Sequence, residues 1–335
     1  MANGTQGEMM KTKRRRVIVR DHLKERGNGK ARKEILEGLK ETPKTIPCVY
    51  LYDERGSELF ERITRLDEYY LPRKEIPLLR RMARRMGDAW EGVDIVELGS
   101  GDCSKISVIL EAIPPEFRRT VRYVPLDVSR AAIEKSAAVL LERFEGLCVK
   151  AMVADFRAQM DLIPQERPRV FCFLGSTLGN LTVEDAVAFL TDLKNVMQAG
   201  DNLLLGLDMV KEKRILEDAY NDEKGITARF NKNILNVVNR HLRTEFDTEN
   251  FDHVAFYDED LCRIEMHLKA RRSLSVTSPF SSAPLCFRSE ETIHTENCHK
   301  FTDKRLRKLA ASAGLQLADL VKDGKEWFSV ARLVK

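Results

Sequence analysis

Residues 93–105 read VDIVELGSGDCSK. The first six form a short, mostly apolar run, and Gly99-Ser100-Gly101 closes it. Apolar positions then recur at helical spacing, Ile106, Ile109, Leu110 and Ile113, until Pro114-Pro115 stops them. A strand that passes through a glycine turn into a helix predicts the first unit of a ligand-binding α/β sheet. Glycine lets the backbone approach a ligand closely, and the helix start favours an anion. The same alternation continues downstream. Residues 121–126 predict a second strand ending at Asp127, and Ser129 caps a helix with Ile133, Ala137, Leu140, Leu141 and Phe144 on one face. Residues 147–153 predict a third strand, followed by Asp155-Phe156, and residues 170–174 a fourth, followed by Gly175-Ser176-Thr177-Leu178-Gly179-Asn180. Thr182 and Asp185 suit a capping box, and the stripe Val183, Ala186, Val187, Leu190, Leu193, Met197 runs to a stop at Gly200. Residues 202–207 are a fifth strand, ending at Asp208. Five apolar strands separated by amphipathic helices predict an α/β fold with a doubly wound, mostly parallel sheet. Right-handed crossovers then bring Gly99–Gly101, Asp127, Asp155, the 175–180 loop and Asp208 to one edge of a cleft.

Segments 20–73 and 210–300 fall outside this repeat and are expected to pack together as a second, smaller lobe over the cleft. The later one reads as helix over about 211–240 and as strand over 261–268 and 283–287. Residues 74–209 and 301–335 form the sheet domain, whose last elements are a helix at 303–313 and strands at 315–321 and 328–334. Residues 1–19 are expected to be an unordered basic tail. Lys11, Lys13, Arg14, Arg15, Arg16 and Arg20 crowd there, and a nucleic-acid arm competes with a solvated terminus. The terminus is preferred, because no basic–aromatic stripe follows.

The 335 residues are 43% hydrophobic and 32% charged, with 56 basic and 52 acidic side chains and a net charge of +4. This balance excludes a disordered chain, collagen and a small disulfide scaffold, and suits about two domains or one enlarged one. No run approaches the roughly 18–20 apolar residues of a membrane helix, and the first thirty residues lack the apolar segment of a signal peptide. A cytoplasmic protein is expected. The seven cysteines form no CxxC pair, which suits free thiols in a reducing compartment. His294, Cys298 and His299 match no zinc spacing, so no metal is expected.

Asp127 stands 28 positions after Gly99, where a carboxylate can accept both hydroxyls of a ribose. Asp155 is placed for an exocyclic adenine amine, with Phe156 beside the ring. A dinucleotide site would want a third glycine where Ser104 stands, and Asp102 would oppose a pyrophosphate. S-adenosylmethionine has no phosphate and carries a cationic sulfonium, so it suits this acidic turn better. Lys105 in the first helical turn can meet its carboxylate.

Five long stretches carry a family resemblance: 52–73 (YDERGSELFERITRLDEYYLPR), 96–105 (VELGSGDCSK), 173–181 (FLGSTLGNL), 220–237 (YNDEKGITARFNKNILNV) and 264–268 (IEMHL). From about Pro43 to the C terminus the chain resembles the L-histidine Nα-methyltransferases of ergothioneine biosynthesis, and the wider amino-acid N-methyltransferases that include fungal tryptophan-derivative enzymes. The resemblance implies a Rossmann-like, S-adenosylmethionine-dependent methyltransferase domain with a separate amino-acid-binding lobe. It implies that Tyr52, Gly99, Ser100, Gly101, Lys105, Asp127, Asp155 and Phe156 border the cofactor, and that Tyr69 and Tyr220 hold the substrate carboxylate. Asn180, with the backbone around Gly175, would position the α-amine, and Asn180 and Tyr52 would serve the transfer itself. Glu296 would grip the imidazole and Met266 line its pocket. The family pattern at 296–298 is Glu, an apolar residue, then Ser; this chain has Glu296-Asn297-Cys298, and a thiol is a weaker hydrogen-bond partner than a hydroxyl. Free L-histidine, trimethylated in successive steps, is the expected substrate. Another aromatic amino acid such as tryptophan, and an RNA-binding methyltransferase, are the alternatives. A monomer acting on a small molecule, away from membranes and nucleic acid, is expected.

Overall fold

The computed structural model describes residues 9–12, 15–22 and 29–335. Its strands are β1 (Met9–Thr12), β2 (Arg15–Asp21), β3 (Lys44–Thr45), β4 (Asp94–Leu98), β5 (Arg122–Asp127), β6 (Cys148–Val153), β7 (Arg169–Phe173), β8 (Asn202–Asp208), β9 (Phe251–Asp258), β10 (Arg263–Ala270), β11 (Leu274–Val276), β12 (Leu285–Phe287), β13 (Thr292–His299), β14 (Gln316–Lys322) and β15 (Phe328–Val334). The helices are α1 (Gly29–Lys40), α2 (Glu54–Ile63), α3 (Leu71–Met86), α4 (Ser104–Ala112), α5 (Pro115–Arg118), α6 (Arg130–Arg143), α7 (Val183–Val196), α8 (Lys213–Asp218), α9 (Ile226–Leu242) and α10 (Asp303–Ser312).

The main sheet runs β1-β2-β6-β5-β4-β7-β8-β15-β14. Its centre, from β2 through β8, is parallel, while β1, β15 and β14 each run antiparallel to a neighbour. Strands β4, β7 and β8 are buried along their whole length, as their mostly apolar runs require when helices cover both faces. The chain proceeds from β4 outward through β5 and β6, then returns to β7 on the other side. The carboxyl ends of β4 and β7 therefore flank the point where strand order reverses, which is where such sheets bind ligands. The two expected caps are present: Ser129 Oγ accepts from Ala132 N at 3.2 Å and Thr182 Oγ1 from Asp185 N at 3.0 Å.

A second sheet, β3-β13-β10-β9, is built from the segments outside the repeat. Its chain leaves the main sheet at Met209 and returns at Phe301, and these two residues form a bridge. Phe301 N donates to Asp208 O and Val210 N to Phe301 O, each at 2.9 Å. The helical stretch expected over about 211–240 holds two helices, α8 and α9, the second starting after Gly225, whose φ is +62°. The boundary expected at 73/74 falls inside α3, which lies against α4 and β15.

The stretch expected to be an unordered tail is corrected. β1 and the first five residues of β2 fall within it, and β2 pairs with β6 from Val17↔Val149 to Asp21↔Val153. Arg20 and Asp21 therefore extend the main sheet rather than the smaller lobe. Val17 and Val19 pack on the core, so this alternation outweighs the flanking charge. Lys13 and Arg14 lie outside the described residues. Among the described residues no helix is long and apolar enough to cross a membrane.

Candidate active site

The turn after β4 adopts left-handed backbone at Gly99 (φ +73°) and Gly101 (φ +47°), a region that glycine enters without steric cost. Ser100 between them is buried, and its Oγ has no hydrogen-bond partner among the described residues. Asp127 accepts from Gly101 N at 3.2 Å and from Ser129 N at 2.9 Å. Burial lifts its carboxyl above the usual range. It is not the cap of α6, a role that Ser129 fills. Asp155 accepts from Arg157 N at 2.9 Å, and its own N donates to Gln159 Oε1 at 3.0 Å. Phe156 stacks edge-on against Phe173 and Phe189, and its ring would lie 3.8 Å from a Cβ added at Gly99. Gly99, Ser100, Gly101, Asp127, Asp155 and Phe156 thus share one edge. Beneath the turn, burial pushes Glu97 up to about 8, and its carboxyl pairs with the Tyr123 hydroxyl.

Lys105 reaches across to the loop after β7. Its Nζ is 2.9 Å from Glu75 Oε2, and Glu75 Oε1 accepts from Gly175 N at 2.7 Å. Glu75 is fully buried and was not anticipated. The signal was present, because it stands on the apolar stripe of α3 with Leu71, Leu78, Leu79 and Met82. Gly175 has φ +77° and Ser176 φ +60°. Ser176 Oγ accepts from Asp208 N at 3.0 Å, fixing the loop to β8. A Cβ at Gly179 would lie 2.7 Å from His299 O, so the missing side chain lets this loop lie directly on β13.

That approach delivers Asn180 to Glu296. Asn180 Nδ2 donates to Glu296 Oε1 at 3.0 Å, and the Tyr52 hydroxyl lies near enough to the same carboxylate to draw its pKa down. Burial pushes Glu296 up to about 7, against the opposing pull of Lys300 and these two donors. Met266 and Ile264 of β10 stand opposite Glu296 and Cys298 of β13. Tyr69 and Tyr220 meet edge to face at 6.2 Å. Burial holds the phenols of Tyr52, Tyr69 and Tyr220 well above their ordinary range, so all three are hydrogen-bond donors at neutral pH. Tyr52 packs its ring on Phe60 and Phe230 and turns its hydroxyl toward Glu296.

Lys300, the first residue past the end of β13, was also missed. It is fully buried, with Nζ 2.8 Å from Asp208 Oδ2, 3.3 Å from the Tyr220 hydroxyl and 3.2 Å from Cys298 Sγ. Burial alone would raise Asp208, but Lys300 and Lys211 hold its carboxyl below the usual range. Burial pushes the Cys298 thiol up. The local set His294, Cys298, His299 is not assembled: Cys298 faces the tyrosines while His294 and His299 pair with the opposite-facing His267 and Arg263.

The turn fits S-adenosylmethionine. Glycine at 99 and 101 leaves the backbone open there, Asp127 is held ready by backbone donors, and the buried Ser100 hydroxyl lacks a partner among the described residues. One loop, 175–180, connects that turn, through Lys105 and Glu75, to the carboxylate at Glu296. The sequence profile of the family described as "Histidine-specific methyltransferase, SAM-dependent" matches residues 31–335. The chain is 39% identical over 302 residues to a histidine N-alpha-methyltransferase of Mycobacterium tuberculosis, covering 90% of this chain and 94% of that one. It is 30% identical over 285 residues to ergothioneine biosynthesis protein 1 of Neurospora crassa, covering 83% of this chain and 32% of that larger protein. A solved S-adenosylmethionine-dependent methyltransferase from Clostridium acetobutylicum superposes with a TM-score of 0.45 at 9% identity, over 82% of this chain and 97% of that one. Turn, acidic strand ends and buried carboxylate therefore belong to an S-adenosylmethionine-dependent enzyme, and the chain is a member of the histidine-specific methyltransferase family.

Proposed function

We propose that this enzyme methylates the α-amino nitrogen of free L-histidine, in successive transfers to the N,N,N-trimethyl betaine. The observation that carries the reading is Glu296. It is a buried carboxyl at about 7, close to the ~6.5 of a free imidazole, so the two can share one proton. An indole offers a single N–H that does not titrate in this range, which makes poorer use of a buried carboxylate. Tyr220 and Tyr69 take the substrate carboxylate in this reading. The Tyr220 oxygen accepts from Lys300, which leaves its O–H to donate. Asn180 gives its amide nitrogen to Glu296 and keeps its carbonyl oxygen for the α-amine, with Gly175 alongside and Met266 and Cys298 lining the pocket.

On the donor side, Asp127 takes the ribose hydroxyls, Asp155 and Phe156 the adenine, and Gly99, Ser100 and Gly101 the open backbone beneath. Lys105 takes the methionine carboxylate with the donors it does not spend on Glu75. When bound, S-adenosylmethionine supplies an electrophilic methyl group on a sulfonium. The protein's part is alignment of lone pair, methyl and sulfur, which can supply several kcal/mol. The amine reacts unprotonated, and beside a sulfonium a second positive charge is disfavoured. Tyrosine faces tolerate the methylammonium that forms.

We extend the reading to a monomer that acts in the cytoplasm on a free amino acid and not on nucleic acid. The main sheet serves as cofactor domain and the smaller sheet as substrate lobe. Donor and acceptor residues from one chain support the monomer, and free cysteines suit a reducing compartment. A methyl-transfer assay across free L-amino acids, with mass detection, tests the proposal: histidine should gain up to three methyl groups and outcompete tryptophan. Preference for another amino acid would overturn it. Glu296→Ala should abolish histidine binding by calorimetry and leave S-adenosylhomocysteine binding intact.

A further inference from the structure

The back of the β10–β13 ladder carries donor groups that the transfer reaction does not use. Glu265 and His267 are two residues apart on β10 and so share a face. His294 stands opposite His267 and Asn297 opposite Glu265. One donor atom from each of Glu265, His267 and His294 lies within 4.8 Å of the other two. His267 Nε2 is 2.8 Å from Glu265 Oε2, while its Nδ1 is buried without a hydrogen-bond partner among the described residues. His294 Nε2 is 2.9 Å from Asn297 Oδ1. The two imidazoles are 5.1 Å apart, and Phe256 of β9 lies flat on His267 at 5.5 Å, which restricts that ring. Arg263 engages the other oxygen of Glu265. Phe256 is 39% exposed, while Glu265, His267 and His294 are half-buried behind it.

We propose that Glu265, His267 and His294 form a site for one divalent transition ion of the zinc type, on the reverse of the strands that present Met266 and Glu296. Two imidazoles and one carboxylate on a paired ladder are a borderline-soft, three-ligand set, which suits zinc with water completing the coordination. The carboxylate contributes the oxygen that Arg263 does not hold. The Asn297 amide oxygen beside His294 is a neutral neighbour that adds no charge repulsion.

The test uses untagged full-length protein stripped of metal by chelation. Calorimetric titration with Zn2+ should give one ion per chain. Co2+ should give visible bands of nitrogen and oxygen ligation without a thiolate charge-transfer band. His267→Gln and His294→Gln should each weaken uptake about tenfold or more, with S-adenosylhomocysteine affinity unchanged as the sign of an intact fold. Lack of stoichiometric uptake, a thiolate band, or wild-type affinity in both variants would overturn the site.

Discussion

Glu296 is held ionisable by two donors while buried in a wall of tyrosines. Keeping a carboxyl at about 7 instead of its ordinary 4.5 costs about 3 kcal/mol of folding free energy once it is charged. The folded protein holds that proton where the unfolded chain has released it, so stability falls as pH rises from about 4.5 through 7. Glu296→Gln removes the penalty. Urea unfolding should show the ligand-free variant gaining on the wild type by up to about 3 kcal/mol between pH 5 and pH 8; a constant difference would contradict this. Cys298 accepts from Lys300 and is a poor partner for a second ring nitrogen. Cys298→Ser should therefore lower the KM for histidine roughly threefold, the worth of a neutral hydrogen bond. At this scale the polar residues on loop ends and in the long quoted stretches were legible. Glu75 showed only as a charge on the apolar stripe of α3, and Lys300 carried no such signal, because the partner that keeps each one buried comes from a distant element.

Elements place these residues by small departures from regularity. β13 pairs Met266↔Glu296 but His267↔His294, so Thr295 is an extra residue in the ladder. Its hydroxyl bonds Asn231 Oδ1 and Met266 O. Without that bulge the two-residue period would turn Glu296 to the solvent face and Asn297 inward. The alternation read from sequence could not reveal it, since β-period patterns assume no slip. The five strands flanking the cofactor edge were legible because their apolar runs end cleanly at glycine or aspartate. β8 holds another tight contact: a Cβ at Gly206 would sit 1.9 Å from Glu75 Oε1. Gly206→Ala should displace Glu75, cost about 1–3 kcal/mol of stability and weaken S-adenosylhomocysteine binding, read by thermal unfolding and calorimetry. Unchanged binding would separate the Glu75–Lys105 pair from the cofactor site.

Across the whole molecule, the parallel sheet and the interruption between β8 and α10 followed from periodicity, but the N-terminal edge did not. Six basic residues hid the Val17-Ile18-Val19 strand signal. β2 shields β6, and the chain then continues to His22, whose carbonyl accepts from Gln159 Nε2 at 3.2 Å; Gln159 in turn holds Asp155. Removing residues 1–22 should lower the Tm by roughly 5 °C and weaken cofactor binding about threefold; an unchanged Tm would show that this edge is dispensable. The chain departs for the smaller sheet at Met209 and comes back at Phe301, and those two points are neighbours joined by backbone hydrogen bonds. Departure and return through adjacent gateposts make the intervening ninety-odd residues a natural cassette. Such a block carries Tyr220, Met266, Glu296 and Cys298 as one insert, while β3, Tyr52, Tyr69 and Asn180 stay in the frame it joins, so exchanging the proposed pocket between family members would mean moving both parts together.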